Sequence, residues 1–186
     1  MESTQRNAQA TAQATAQATA QATAQATAQA IELATELALN FHRGQRDADG
    51  DPYILHLMRV MLKCHSASAK QAGLLHDILE DTAATEEDLI QAGICPNVTQ
   101  SVKRLTRPAH IDYADYILAL ADDPIAKEVK IADIEDNYAI GRVKYRSEHR
   151  LEDAHRLERY ILSHRFLSGH LQSTEYIEAM KLVGSA

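Results

Sequence analysis

The sequence predicts an all-α protein, and three observations support this class. Apolar residues make up 45% of the 186 residues but aromatic residues only 5%, and tryptophan is absent, so the core must be mainly aliphatic. Apolar side chains recur at three- and four-residue spacing along the domain. No segment alternates apolar and polar residues for long enough to predict a strand.

The N-terminal segment is a low-complexity repeat. Over residues 8–30 a tetrad of alanine, threonine, alanine and glutamine recurs without any large apolar residue. Alanine favours helix, but threonine and glutamine add nothing to a core, so residues 1–29 are predicted to be a disordered or fraying helical tail. Residues 30–184 are predicted to form the folded domain.

Three helices are predicted in the first part of this domain. The first begins near residue 30 and ends before Gly44, and the second covers residues 53–65. The third covers residues 67–80. Because it is apolar on most sides, it should lie at the centre of a helical bundle.

Capping signals predict where later helices begin and end. Thr85 and Asp88 form a capping-box pattern that opens a short helix, and Gly93 ends it. Asp123 as N-cap and Pro124 at the first helical position open another. The remaining predicted helices cover residues 96–105 and 113–121, and the last helix covers residues 146–168.

The composition limits the partners of the protein. A formal net charge of −7 argues against nucleic-acid binding through a broad basic surface, although a local basic pocket for a small anion stays open. No apolar run approaches a membrane span, and the two cysteines lack a CxxC spacing, which indicates a cytoplasmic protein. A homo-oligomer is compatible with this composition. The basic stretches are Lys103, Arg104 and Arg107, and Arg142, Lys144 and Arg146.

His76 and Asp77 interrupt the most apolar of the predicted helices. Ionisable groups on a buried helix need a partner charge, a hydrogen bond or a cation, because an unpaired buried charge is costly. Glu80 follows His76 by four residues, which predicts that both lie on the same helical face. The alternative is a core histidine that a neighbouring carboxylate satisfies.

A second polar signal lies on the helix that Pro124 opens. Asp133 and Asn137 interrupt an apolar stripe, which predicts that they face inward. Glu135 and Asp136 fit solvent-facing acids better and are left unassigned.

His56 completes a candidate set of metal ligands. It lies in the first turn of the second predicted helix, after the turn at Pro52. Two imidazoles and two carboxylates would suit a borderline divalent cation such as Mn²⁺, Fe²⁺, Co²⁺ or Zn²⁺. The four candidate ligands are His56, His76, Asp77 and Asp133.

Five short motifs occur in an order and spacing that resemble the hydrolase domain of the RelA/SpoT family. The resemblance covers most of residues 30–140 and implies an HD-domain helical bundle with a buried metal site. The motifs are His42-Arg43-Gly44-Gln45, Gly50-Asp51-Pro52-Tyr53-Ile54-Leu55-His56, the segment 74–82, Leu105-Thr106, and the segment 129–137.

The resemblance implies an activity and a role for each motif residue. The protein would be a metal-dependent hydrolase that removes the 3′-pyrophosphate from purine alarmone nucleotides such as ppGpp, with ppApp as a further substrate. The implied Mn²⁺ ligands are His56, His76, Asp77 and Asp133. Glu80 and Asp81 would activate and orient the attacking water. Asn137, Arg46 and Lys130 would contact the nucleotide, and His42 would be structural.

The chain departs from the family pattern beside the implied base-binding position. The family usually has arginine and often lysine where this chain has Asp47 and Ala48. The arginine of this chain stands one place earlier, at Arg46. This predicts a shift in preference from guanine toward adenine, unless the loop is solvent-facing and never touches the base. Two other functions stay open: an HD-type nucleotidase or phosphodiesterase for another phosphate ester, and a catalytically silent nucleotide-sensing module.

Overall fold

The computed structural model describes residues 2–141 and 146–183. These residues form helices and no strand, with one isolated antiparallel bridge between Arg46 and Pro52, so the all-α prediction is confirmed. None of the described helices is both long and apolar enough to cross a bilayer. In chain order the α-helices are α1 (Glu2–Phe41), α2 (Ile54–Lys63), α3 (Ala67–Leu75), α4 (Ile78–Asp81), α5 (Glu86–Ala92), α6 (Pro96–Leu105), α7 (Tyr113–Leu120), α8 (Pro124–Asn137), α9 (Arg150–Leu167) and α10 (Ser173–Leu182), and a 3₁₀ turn, Ser147–His149, precedes α9.

Helix α3 lies at the centre of the bundle, as its apolar composition predicts. It packs against α1, α2, α6 and α8, and Ala72, Leu74 and Leu75 are fully buried. Gly73 lets α2 approach closely, because a Cβ there would lie 3.3 Å from Cα of Met61. The absence of a side chain at residue 73 therefore sets the separation of α2 and α3.

Helix α1 runs without a break through the predicted boundary between tail and domain. Side chains of residues 15–29 are almost all exposed, whereas Ala34 and Ala38 are fully buried against the bundle. The burial along α1 thus begins just after residue 30. That residues 1–29 are a disordered or fraying helical tail stays a prediction.

The capping predictions are confirmed. Thr85 and Asp88 form a reciprocal capping box at the start of α5, and Gly93 ends that helix with φ of 92°. The Asp123 carboxylate accepts hydrogen bonds from the backbone N–H groups of Ile125 and Ala126, each over 3.0 Å, at the start of α8. These capping residues are predictable from the sequence because each forms hydrogen bonds with backbone groups at a helix end that have no partner within the helix.

The prediction of one helix over residues 67–80 is wrong. The helix ends at Leu75, and α4 begins at Ile78 after a turn formed by His76 and Asp77. Glu80 therefore does not share a regular helical face with His76. The apolar run continues through the turn, so periodicity alone does not reveal the break.

The helix predicted over residues 146–168 is present as α9, Arg150–Leu167, but the prediction that it is the last helix is wrong. Gly169, with φ of 77°, follows α9, and α10 begins after Gln172, whose side chain forms a capping box with Glu175. The ring of Tyr176 stacks on Phe166 at 4.8 Å between centroids. This aromatic contact docks α10 on α9.

Candidate metal centre

His56 is held at the start of α2 by the turn that precedes it. The backbone N–H of Tyr53 donates to the carbonyl of Gln45 over 3.0 Å, and α2 begins directly after Tyr53. His56 is buried, and its Nε2 lies 3.4 Å from Oδ1 of Asp133 and 3.8 Å from Oδ2 of Asp77. The imidazole thus reaches from α2 toward carboxylates on two other segments.

His76 presents an unpaired ring nitrogen to the same point. Its Nδ1 lies 2.8 Å from the carbonyl of Gly73, and because a carbonyl only accepts, Nδ1 carries the hydrogen. Nε2 is buried and forms no hydrogen bond with the described residues, although it lies 3.0 Å from Oδ2 of Asp77 and 3.7 Å from Oδ1 of Asp133. A neutral imidazole in this arrangement offers the Nε2 lone pair as a ligand.

The turn between α3 and α4 brings Asp77 beside His76. Asp77 has φ of −98° and ψ of −2°, in the sparsely populated bridge region where many active-site residues lie. Consecutive residues on a regular helix point about 100° apart, which would separate the two side chains. The break in the helix therefore lets the side chains of His76 and Asp77 point to the same place, with Oδ2 of Asp77 3.0 Å from Nε2 of His76.

Asp133 is the carboxylate at the centre of the cluster. It is 5% exposed on α8, and its Oδ2 accepts a hydrogen bond from Nζ of Lys130 over 2.8 Å. Oδ1 accepts from Nδ2 of Asn137 over 2.6 Å and faces the two imidazoles. The predicted inward orientation is confirmed for Asp133 and wrong for Asn137, which is exposed at the end of α8 although its amide reaches Asp133.

The charges in this cluster shift one another's pKa values. Burial disfavours the ionised form of Asp133, but the Lys130 ammonium and the two imidazoles outweigh it and hold the pKa of Asp133 well below its usual range. Burial also disfavours a charged His76, yet the carboxylates of Asp77 and Asp133 raise the pKa of His76 well above 6.5. The two carboxylates thus favour a positive charge at the position of the imidazoles.

The donor set fits a divalent cation. One ligand atom from each of His56, His76 and Asp133 lies within 4.8 Å of the others, and all three residues are buried. Oδ2 of Asp77 adds a further oxygen beside the two imidazoles. Two nitrogen and two carboxylate donors suit a borderline metal ion, and the unpaired Nε2 of His76 is the group that most needs one.

The two acids expected to activate and orient the attacking water lie on α4, the short helix that follows Asp77. Glu80 and Asp81 are exposed at the end of α4, and Oε2 of Glu80 accepts from the backbone N–H of Arg107 over 3.2 Å. The Tyr53 hydroxyl lies 3.3 Å from Oδ2 of Asp81 and 2.5 Å from Oδ2 of Asp77. Partial burial and the Asp77 charge raise the pKa of Asp81. Tyr53 thereby links a candidate ligand to a candidate water-orienting acid.

Asp136 is a site residue that the sequence does not reveal, since its pattern fits a solvent-facing acid. It is only 2% exposed, and its Oδ2 accepts a hydrogen bond from Nδ1 of His56 over 2.8 Å. Its Oδ1 accepts from Nε of Arg59 over 2.8 Å. Asp136 follows Asp133 by three residues and Val129 by seven, and this helical spacing is the signal that could have placed it inside.

A cavity of about 700 Å³ opens beside Lys130 and Glu80. Its walls carry more positive than negative side chains, a polarity suited to a phosphorylated ligand. Arg156 and Arg159 on α9 were not identified from the sequence. The cationic residues that line it are Arg107, Lys130, Arg156 and Arg159, and the acidic ones are Glu80 and Asp112.

The other predicted anion-binding residues lie elsewhere. Arg46 lines a separate cavity of about 710 Å³ and donates from Nη1 to the carbonyl of Gly50 over 2.6 Å. The carboxylate of Asp47 accepts from the backbone N–H groups of Asp49 and Asp51, over 2.9 Å and 3.0 Å. The Asp47 carboxylate therefore stabilises the loop in which it lies. This supports the alternative in which the loop does not contact the nucleotide base.

The two basic stretches are not assembled into one pocket. Lys103 pairs with Glu86 at 2.7 Å, and Arg104 lies 3.7 Å from Asp123. Arg146 pairs with Asp153. Arg142 and Lys144 lie outside the described residues.

The chain matches a protein-family model. The HD domain model matches residues 34–133, a stretch that includes all four candidate metal ligands and both candidate catalytic acids.

The chain is also similar to curated proteins that are far longer. It is 34% identical over 108 residues to a guanosine-3′,5′-bis(diphosphate) 3′-pyrophosphohydrolase of Aquifex aeolicus, covering 52% of this chain and 15% of that protein. It is 32% identical over 111 residues to the GTP pyrophosphokinase rsh of Brucella melitensis, again over 52% and 15%. A GTP pyrophosphokinase of Streptomyces coelicolor is 31% identical over 142 residues, covering 69% and 17%. The chain thus spans about a sixth of the length of these relatives or less.

A solved structure has a similar fold. It is described as a metazoan ortholog of SpoT that hydrolyses ppGpp, and it superposes with a TM-score of 0.61 at 23% identity. The match covers 84% of this chain and 97% of the other. At this identity the likeness concerns the fold.

Proposed function

The chain belongs to the HD-domain family, and from this premise we propose that it is a Mn²⁺-dependent 3′-pyrophosphohydrolase of purine alarmone nucleotides in the cytoplasm. Its substrates would be of the ppGpp type, ppApp included. The products would be pyrophosphate and a nucleoside 5′-diphosphate or 5′-triphosphate. The longer relatives with this activity in their names support the substrate class.

The observation that carries the proposal is the buried group of His56, His76 and Asp133. Lys130 links this group to a cavity with a cationic wall, because its Nζ lies 2.8 Å from Oδ2 of Asp133 and its side chain lines the cavity. Asp77 would complete the ligand set. Mixed nitrogen and oxygen donors suit a borderline divalent cation, and among such cations the resemblance to the RelA/SpoT hydrolases favours Mn²⁺. Such an ion supplies positive charge to a phosphate oxygen and makes a nearby water more acidic.

Glu80 would act as general base. Its carboxylate lies on the wall of the cavity, where it could accept a proton from water that attacks the phosphorus attached to the ribose 3′-oxygen. The bond from that phosphorus to the 3′-oxygen breaks, pyrophosphate leaves with the added oxygen, and the 3′-oxygen takes up a proton. Asp81 and the Tyr53 hydroxyl would orient the attacking water.

The cavity supports binding of a polyphosphorylated nucleotide. Arg156 and Arg159 project from α9 on its wall, and Arg159 also stacks over the Tyr113 ring at 5.9 Å. Guanidinium groups bind phosphate oxygens in a bidentate manner, so this wall would hold the charged arms of the substrate. Asn137 and Lys130 would orient Asp133 and also border the reacting phosphate. Arg46 would contribute less to nucleotide binding, because its guanidinium already donates to the carbonyl of Gly50.

A direct assay tests the proposal. The purified chain, freed of metal and reloaded with Mn²⁺, is incubated with ppGpp, ppApp and a panel of nucleotides and phosphodiesters, and products are followed by ion-exchange chromatography. We expect pyrophosphate release from one or both alarmones and none from the His76→Ala variant. Turnover of another ester alone would identify a different nucleotidase or phosphodiesterase. Tight alarmone binding without turnover would identify a sensing module.

A further inference from the structure

We propose that Asp136, braced by Arg59, is the positioning residue for His56: it orients the ring and keeps the hydrogen on Nδ1, so that Nε2 faces the metal. This inference rests on the proposed metal site. It assigns a role to two residues outside the ligand set.

The geometry of the imidazole carries the proposal. Oδ2 of Asp136 lies 2.8 Å from Nδ1 of His56, while Nε2 on the other side of the ring lies 3.4 Å from Oδ1 of Asp133. An ionised carboxylate only accepts hydrogen bonds, so the hydrogen of a neutral ring stands on Nδ1 and the lone pair on Nε2. Carboxylates in this position fix the tautomer of metal-bound histidines and make them more basic ligands.

The two histidines are oriented by different means. Nδ1 of His76 donates to the backbone carbonyl of Gly73 over 2.8 Å, an interaction that no side-chain substitution removes directly. His56 depends instead on a side chain from another helix. The orientation of His56 is therefore the part of the site that a single substitution at residue 136 can change.

Arg59 is the charge partner of Asp136 inside the protein. Asp136 is 2% exposed, and Arg59 donates from Nε to its Oδ1 over 2.8 Å. Arg59 follows His56 by three residues, so both lie on one face of α2 and together hold the Asp136 carboxylate of α8. The pair thus joins the helices that carry His56 and Asp133.

The test compares Asp136→Asn with Glu135→Gln. Each variant removes one carboxylate charge from α8, but Glu135 is 39% exposed and pairs with Lys63 and His164 at 3.2 Å. Mn²⁺ dissociation constants are measured on folded, metal-stripped protein from the electron paramagnetic resonance signal of free Mn²⁺. Loss of an outer partner of a metal-bound histidine weakens affinity about 10–100-fold, so we expect that loss for Asp136→Asn and none for Glu135→Gln.

A spectroscopic readout separates positioning from general packing. In protein loaded with diamagnetic Zn²⁺, the imidazole of His56 should give a downfield Nδ1–H proton resonance, which His56→Gln identifies by removing it. The resonance should shift upfield or vanish in Asp136→Asn. Arg59→Met provides an independent variant that keeps the carboxylate, and we expect it to weaken Mn²⁺ binding by a smaller factor.

The outcomes distinguish this inference from the proposed function. Tight Mn²⁺ binding by the wild type, with equally tight binding by Asp136→Asn, overturns the role of Asp136 and leaves the metal site standing. A wild type that binds no divalent cation overturns the metal site and this inference together. An unchanged His56 resonance in Asp136→Asn also overturns the positioning role.

Discussion

The phenolic hydroxyl of Tyr53 donates a hydrogen bond to Oδ2 of Asp77 over 2.5 Å. The hydroxyl oxygen of Tyr53 also lies 3.3 Å from Oδ2 of Asp81. One hydroxyl therefore contacts both a candidate ligand and a candidate water-orienting acid. Tyr53→Phe should lower kcat about 10–100-fold, because it removes the hydroxyl that links Asp77 to Asp81, and it should lower the melting temperature as well, because hydrogen bonds to charged groups are worth about 1.5–3 kcal/mol. Steady-state kinetics with the alarmone substrate measures this.

Tyr176→Phe is the matched control for that variant. The Tyr176 hydroxyl lies 3.1 Å from Oγ of Ser163 between α9 and α10, away from the metal centre. The Tyr176→Phe substitution should lower the melting temperature and leave kcat near that of the wild type. If Tyr53→Phe had a normal kcat, the bridge would have no catalytic role.

His76→Ala and Asp133→Asn should each remove bound metal and abolish turnover, because each deletes a proposed ligand. Asp133→Asn also leaves the buried Lys130 ammonium without its charge partner, a change that costs about 3–5 kcal/mol in comparable buried pairs. Metal content is measured on protein shown to be folded by circular dichroism. His164→Ala, which removes contacts with Glu135 and with the ring of Tyr138 but no proposed ligand, should retain both metal and activity. Full metal content in the His76 variant would contradict the site.

Glu80→Gln should keep the fold and the metal but lower kcat about 10²–10⁴-fold, since the amide preserves shape and cannot accept a proton. Glu80 is exposed and lies outside the buried ligand group, so stability should change little. Single-turnover kinetics at saturating Mn²⁺ isolates the chemical step. A rate equal to that of the wild type would exclude Glu80 as the base.

The metal-free protein should lose stability as the pH rises above neutrality. Burial lowers the pKa of an imidazole, but the surrounding carboxylates outweigh it and raise the pKa of both His56 and His76 above 6.5. Groups with raised folded-state pKa values stabilise the fold below 6.5 and lose that contribution as the pH rises through the folded-state value.

Thermal melts of the metal-free chain between about pH 6 and pH 9 measure this. Each pKa unit between folded and unfolded states is worth about 1.4 kcal/mol, which corresponds to about 3–6 °C for a domain of this size. Added Mn²⁺ should raise the melting temperature more at the higher pH, because it replaces the protons. A melting temperature independent of pH in the metal-free protein would argue against charged imidazoles in the cluster.

Deletion of residues 1–28 should leave melting temperature and kcat nearly unchanged. The side chains of residues 15–28 are almost all exposed, and burial along α1 begins near Ala34. The helix remaining after deletion still presents its buried face to α3. A marked fall in stability or rate would show that the repeat contacts the domain or joins subunits.

The features that the sequence predicted well are those set by local chemistry. The capping box at Thr85 satisfies backbone groups within one turn, and Asp123 does the same at the start of α8. The inward face of Asp133 follows from helical periodicity. Such signals need no knowledge of what packs on the helix.

The features that the sequence did not reveal depend on contacts between distant segments. The break at His76 and Asp77 lies in an apolar run that fits a helix equally well, and only convergence with α2 and α8 explains it. Asp136 is adjacent to an exposed acid on the same helix, and it is buried because Arg59 and His56 of α2 meet it. The arginines of α9 reach the cavity through packing that no local pattern encodes.

The close approach at Gly73 bears on how this protein can vary. The imidazole of His56 on α2 and that of His76 after α3 lie 5.3 Å apart between ring centroids, and the separation of those helices depends on the missing side chain at residue 73. An alanine there must displace α2, because its Cβ would meet the backbone of Met61 at 3.3 Å. Natural selection for metal retention would therefore constrain residue 73 as it constrains the histidines, and a mutational scan scored by bound metal would group this glycine with the ligands, although it has no atom that can reach the ion.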